Sequence, residues 1–228
     1  DAVEAEIGPR TRAVLINTPN NPTGRVYPAE TLKELAALLR EKSAKFGRPI
    51  YLVSDEPYRV IAYDGVTVPA IFPLYDAAIV CSSFSKDLSL AGERIGYVAA
   101  NPGLEGVERL TAALTLTNRI LGFVNAPAFQ QRAVARLQNE TVDVGYYRGN
   151  RDLLLEGLLE AGYRCPRPDG AFYLFPETPV PDDVAFCREL LKENILAVPG
   201  SGFQGPGHMR LAYCCDRETI RKALPGFR

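Results

Sequence analysis

The chain has 228 residues, 46% of them hydrophobic and 23% charged, and a formal net charge of −1. That balance belongs to a globular protein with a real core, and it leaves no field favouring nucleic acid or an anionic membrane; an anionic ligand would need a local site. No apolar run approaches the ~18 residues of a membrane helix, and DAVEAEIGPR (1–10) has neither the basic nor the apolar stretch of a signal peptide.

Five cysteines, at 81, 165, 187, 214 and 215, are odd in number and include an adjacent pair but no C-x-x-C. They suit neither a disulfide framework nor a zinc site and read as reduced, buried thiols. His208 is the only histidine, which disfavours His-ligated metals and Ser-His-Asp catalysis.

In chain order, RAVLIN (12–17) reads as a buried strand and PNNPTG (19–24) as a turn. Pro28 suits a first helical position, and Leu32, Leu35, Ala36 and Leu39 recur at helical spacing to about Phe46, where Gly47-Arg48-Pro49 stops the helix. IYLVSD (50–55) returns as a strand, so this strand–helix–strand unit implies parallel strands with a right-handed crossover. AAIVCSS (77–83) and IGYVAAN (95–101) read as two further core strands. A helix is predicted over 103–117, and Asn125-Ala126-Pro127 opens another running toward Gly162.

Beyond about 145 the pattern changes to GAFYLFP (170–176), a helix over 182–194, ILAVPG (195–200) and HMRLAY (208–213), with Pro/Gly turns between strands. That spacing predicts a smaller α+β domain, so the expected division is 1–145 and 146–228.

Three polar features follow the carboxyl ends of predicted strands: Asn21 after 12–17, Asp55 after 50–54 and Lys86 after 77–83. Open α/β sheets bind ligands in the crevice outside those ends. A Lys, an Asp and a Tyr (Tyr58) on separate loops suit a Schiff-base cofactor with a pyridine ring.

SFSKDLSLAGERIG (83–96) resembles, at each constrained position, the lysine-attachment signature of class I/II aminotransferases, the aspartate aminotransferase-like enzymes of fold type I. NNPTG (20–24), SDEPY (54–58) and VPGSGF (198–203) followed by HMRLAY (208–213) resemble that family's other hallmarks, in order, so the resemblance spans essentially the whole chain. It implies an α/β fold, a mostly parallel sheet with a second α+β domain, and pyridoxal 5′-phosphate (PLP) as cofactor. Lys86 is then the Schiff-base lysine and later the general base at the substrate Cα. Asp55 pairs with the pyridine nitrogen, and Asn21 and Tyr58 hydrogen-bond the phenolic oxygen. Ser83, Ser85 and Arg94 hold the phosphate, Ser85 being equally well a turn residue. Arg210 grips the substrate α-carboxylate.

Arg119 reads more readily as a helix-end residue than as a contact to a distal carboxylate. Phe172 and Tyr173 suit either the substrate's flank or the core of the small domain. No metal is implied.

The resemblance further implies an amino-acid donor, a 2-oxo-acid acceptor, a homodimer and a cytoplasmic location, with no nucleic-acid or membrane partner. The same signature serves carbon–sulfur β-lyases, and an aminotransferase-like regulatory module is a third possibility. Before Asp1 there is no counterpart of the family's phosphate loop or ring-stacking aromatic. The chain is therefore read as a fragment, expected to fold, to self-associate and to be a weak or inactive enzyme by itself.

Overall fold

A computed structural model describes residues 2–228. Two compact units emerge, neither continuous in sequence. The first comprises the described residues through Thr18, Tyr27–Arg59 and Thr67–Val142; the second comprises Pro19–Val26, Val60–Val66 and Asp143–Arg228.

The first unit is a four-stranded sheet in the order β1-β2-β3-β4. A short helix α1 (Ala2–Glu6) precedes β1 (Ala13–Asn17), and α2 (Ala29–Phe46) connects β1 to β2 (Tyr51–Asp55). The α2 stripe Leu32, Ala36 and Leu39 is buried, as its helical spacing requires. Gly47 ends α2 at φ 66°, a left-handed cap whose N–H bonds Ala44 O at 3.2 Å while Arg48 N bonds Ser43 O at 3.1 Å.

Strands β1 and β2 pair in parallel from Ala13 with Tyr51 to Asn17 with Asp55, and β3 (Ala78–Ser83) adds in parallel, setting Asp55 against Cys81. The core gathers Ile16, Leu32, Leu39, Leu52, Ala78 and Leu104. Tyr75 is buried with them and satisfies its hydroxyl on Ile50 O at 2.7 Å.

Two expectations change here. Residues 95–101 are not a core strand: β4 (Gly96–Ala100) runs antiparallel to β3 at the sheet edge, and Tyr97 and Val98 are about half exposed. The helix expected to run from 127 toward 162 is broken. Helix α4 (Val107–Ile120) is followed by α5 (Ala128–Arg136), the chain then leaves helical conformation, and α6 (Val144–Glu160) starts afresh. Asp143 caps α6 by accepting from Tyr146 N at 3.0 Å, which gives that helix its own start signal.

The second unit packs α6 with α7 (Asp183–Lys192), α8 (Arg217–Ala223) and an antiparallel sheet in the order β5-β7-β6. Its strands are short: β5 is Tyr173–Leu174, β6 Val198–Pro199 and β7 Met209–Ala212. Leu158, Leu174, Met209 and Tyr213 are wholly buried. Among the described residues no helix is long and apolar enough to cross a membrane.

Candidate functional site

In the first unit the chemistry collects where β1, β2 and β3 end. Parallel register places Asn17 beside Asp55 on the last rung of β1 and β2. Asn17 Nδ2 donates to Asp55 O at 3.0 Å and to Asp55 Oδ2 at 3.1 Å. Burial pushes the Asp55 carboxyl above its usual pKa; the Asn17 hydrogen bond pulls the other way, and the charge of Glu56 adds to the rise. A carboxyl that has lost water without gaining a cation suits a cationic N–H partner.

Tyr58, three residues on, is 4% exposed, and Lys86 Nζ lies 5.9 Å from its ring centroid. Lys86 sits on α3 (Phe84–Asp87), a single turn that follows β3 directly. Ser83 is the N-cap position of that turn and Ser85 lies within it, both partly buried. Opposite them, a Cβ on Gly96 would stand 2.6 Å from Ser82 O and 3.1 Å from Ser83 Cβ. Glycine therefore lets β4 close against the base of the lysine turn. Arg94 is exposed at φ 52°, and its Nη1 donates to Ala91 O at 2.9 Å within its own loop.

The structure thus brings Asp55, Tyr58, Ser83, Ser85 and Lys86 to one set of strand ends. It also adds Asn17, which the sequence reading passed over although it closes the first predicted strand. Asn21 belongs to the second unit. There Arg210, on β7, donates from Nη1 to Asn21 Oδ1 at 2.9 Å. The guanidinium Cζ lies 4.6 Å from the Tyr173 ring centroid and 4.7 Å from that of Phe203. Arg210 Nε is buried with no hydrogen-bond partner. A guanidinium held by two rings and one amide, with a spare buried N–H, suits a planar anionic acceptor such as a carboxylate.

Phe172 and Tyr173 are both buried, their ring centroids 4.9 Å apart, with the Tyr147 ring tilted at 56° and 5.8 Å from that of Phe172. Arg119 is exposed in the last turn of α4. Among the described residues no group of three or more His, Cys, Asp or Glu side chains could hold a metal ion. Of the five cysteines, expected to be buried, Cys187 alone is; Cys81, Cys165 and Cys215 are partly buried and Cys214 is exposed, and loss of water pushes the Cys165 thiol pKa up to about 11.

A mostly parallel sheet carrying a lysine on the turn after its third strand, with an antiparallel strand beside it, is the α/β architecture of fold-type-I PLP-dependent transferases. The family model for aminotransferase class I and II matches residues 1–227. The aspartate/prephenate aminotransferase of Thermus thermophilus is 36% identical over 234 residues, and the match takes in 100% of this chain and 58% of that protein. The aspartate aminotransferase of Thermotoga maritima is 32% identical, over 98% of this chain and 57% of that protein.

Among solved structures, an aminotransferase from Eubacterium rectale superposes with a TM-score of 0.95 at 47% identity, covering 99% of this chain and 57% of that one. The Thermus thermophilus aspartate aminotransferase with maleate superposes with a TM-score of 0.81 at 33% identity, covering 99% of this chain and 58% of that one. The chain belongs to the class I and II aminotransferase family, whose enzymes are PLP-dependent. It spans a little over half the length of the curated relatives it matches.

Proposed function

We propose that the protein of which this chain is the whole or a part transfers an amino group between an α-amino acid and a 2-oxo acid with PLP as cofactor. The observation that carries this reading is the meeting of Lys86, Asp55 and Tyr58 at one set of strand ends, within the sequence signature of the family. Residues of the first unit are read as part of the large cofactor-binding domain, and those of the second as belonging with the small C-terminal domain.

The residues fit the cofactor. Asp55, short of a cation, suits the protonated ring nitrogen. Asn21 and Tyr58 are assigned to its phenolic oxygen, and Ser83, Ser85 and Arg94 to its phosphate. When bound, PLP supplies a ring that withdraws electrons from the substrate Cα. Lys86 is assigned to anchor the cofactor and then to move the proton at Cα. Arg210 is assigned to the substrate α-carboxylate through its spare N–H face.

Aspartate is the first donor to try, because the Thermus and Thermotoga relatives carry it in their names. A homodimer and a cytoplasmic location go with this reading; exposed Leu121, Phe123 and Phe129 support the first.

The test is transfer of the amino group from aspartate and a panel of other donors to 2-oxoglutarate. The wild-type protein should catalyse it, and Lys86→Arg should lower the rate on the order of 10² to 10⁴-fold with the fold retained. Pyruvate released from a cysteine-like substrate without an acceptor would instead establish a lyase. Activity that survives Lys86→Arg would overturn the assignment.

A further inference from the structure

The turn that carries Asn21 is internally stiff, and Asn21 meets Arg210 of β7. Asn20 Oδ1 accepts from Thr23 N at 3.1 Å and from Thr23 Oγ1 at 2.7 Å. Gly24 N donates to Asn20 O at 2.8 Å, and Asn20 N donates to Arg25 O at 2.9 Å. Residues 20–25 therefore behave as one closed loop, and the fastening of its base helps set where Asn21 stands.

That base is held by Asp169. Its N–H donates to Gly24 O at 2.9 Å, joined by Gly170 N at 2.9 Å. Its Oδ2 accepts from Val26 N at 3.0 Å, and its Oδ1 lies 3.4 Å from Arg25 Nη1. Its own carbonyl accepts from Tyr63 N at 2.9 Å, which ties the 60–66 segment into the same knot, together with Ala171 N bonding Ile61 O at 2.9 Å. One residue thus spends its main-chain N–H, its carbonyl and both carboxylate oxygens on two otherwise separate segments.

The glycines show how close this approach is. A Cβ on Gly24, at φ +67°, would meet Pro168 Cβ at 2.3 Å, and one on Gly170 would meet Ile61 O at 2.6 Å. No side chain fits between the three segments at those points.

We infer that Asp169 is a positioning residue for substrate binding: by fastening the Gly24–Val26 base it sets Asn21 Oδ1 on Arg210 and so fixes the plane in which Arg210 meets a carboxylate. Arg210 has only that amide and two ring faces to orient it, so a drifting turn leaves the charge in place but the fork misaimed. This rests on the reading of Arg210 as the substrate-carboxylate residue.

The experiment uses the full protein with its cofactor and compares Asp169→Ala with Asp169→Asn, whose amide oxygen still accepts from Val26 N–H. In Asp169→Ala, amide hydrogen exchange over residues 20–26 should quicken, while KM for the amino donor and the Kd of the dicarboxylate maleate rise on the order of tenfold. The kcat should fall by a smaller factor than KM rises, as the part of the loss that passes through Asn21 and the cofactor. Asp169→Asn should restore all three readings.

Exchange that does not change in Asp169→Ala, or changes without moving KM and the maleate Kd, overturns the inference. So does an Asp169→Asn protein as impaired as the alanine one. If Asp169→Ala does not fold, Asp169→Ser, whose hydroxyl is too short to reach Val26, takes its place. In the wild type, a Val26 amide that exchanges at the unprotected rate is itself fatal. A wild-type protein that transaminates but shows no effect at 169 sinks this inference alone; one that does not transaminate sinks the proposed function.

Discussion

Helices α4 and α6 are of similar length, 14 and 17 residues, yet α4 buries no residue whereas α6 buries Asn150, Arg151, Leu154, Leu155 and Leu158. On and after α4, Leu116, Ile120, Leu121 and Phe123 stand in solvent, with Ile120 and Leu121 at 72% and 70% exposure. In the second unit even the polar Asn150 and the charged Arg151 of α6 are enclosed. Asn150 Nδ2 donates to Tyr213 O at 3.0 Å and to Cys215 O at 2.8 Å, and its Oδ1 accepts from Arg217 Nε at 3.2 Å. Val107 and Leu110 at the start of α4 pack partly against the core, but the apolar residues at and beyond its far end stay uncovered, while those of α6 hold their own unit together.

The comparison is tested most directly by the same truncation in both places. Leu158 is 0% exposed, and Leu158→Ala should cost about 2–5 kcal/mol. Leu121→Ala should stay within about 0.5 kcal/mol in the isolated chain, because little surface leaves water there on folding. Urea titrations of the two variants measure both. Equal losses would mean that α4 is packed after all.

Arg151 offers a smaller effect. Its guanidinium is 1% exposed, ion-paired with Asp64 at 2.8 Å and Asp152 at 2.9 Å, and lies 4.7 Å from the Tyr63 ring centroid. Removing one partner of a buried pair is costly because the other charge is left stranded. Here both carboxylates reach water, so Arg151→Met should cost only about 1–3 kcal/mol by denaturation. The loss should be accompanied by faster amide exchange in the 60–66 segment that Asp64 belongs to. A neutral result would show that Met packing fully replaces the ion pairs.

The contrast also explains what the sequence disclosed. Local signals in the first unit were strong: the leucine stripe of α2, its Gly47 stop and the alternation into β2 carry their own period, and the structure follows them. The direction of β4 was hidden because the connection through Lys86 and Arg94, residues 84–95, brings the chain back antiparallel, which no hydrophobic period records. The break between α5 and α6 was hidden because 137–143 lacks a Pro or Gly, and the Asp143 cap is visible only as one polar residue among several.

At the site, Lys86, Asp55 and Tyr58 stood out because each lies in a motif. Asn17 and Asp169 did not, since their roles come from register and from a long-range knot. Asn17 was nonetheless within reach: two parallel strands ending in Asn17 and Asp55 pair those residues if the strands start in step.

The smallest expected effect concerns Asp55, where the chemistry and the stability of the first unit pull in opposite directions. Its carboxyl is raised in pKa chiefly by burial, with Glu56 adding to the rise and Asn17 opposing it. For a group raised on folding, the contribution to stability is fully present below the ordinary carboxylate pKa. It is lost as pH climbs through the raised folded value. Without cofactor, therefore, ionising Asp55 at neutral pH weakens the fold. Asp55→Asn removes that titration while keeping an oxygen for Asn17 Nδ2. The cofactor-free Asn variant should melt slightly above wild type at pH 7, and the gap should close as pH falls to about 3. With cofactor the order should reverse in function: a neutral amide cannot hold the ring nitrogen charged, so transamination should fall although the fold is firmer. Melting curves from pH 3 to 7 on the cofactor-free pair decide it. A gap that widens toward acid would mean that the Asn17 hydrogen bond outweighs burial and that Asp55 is stabilised as an anion before any cofactor arrives.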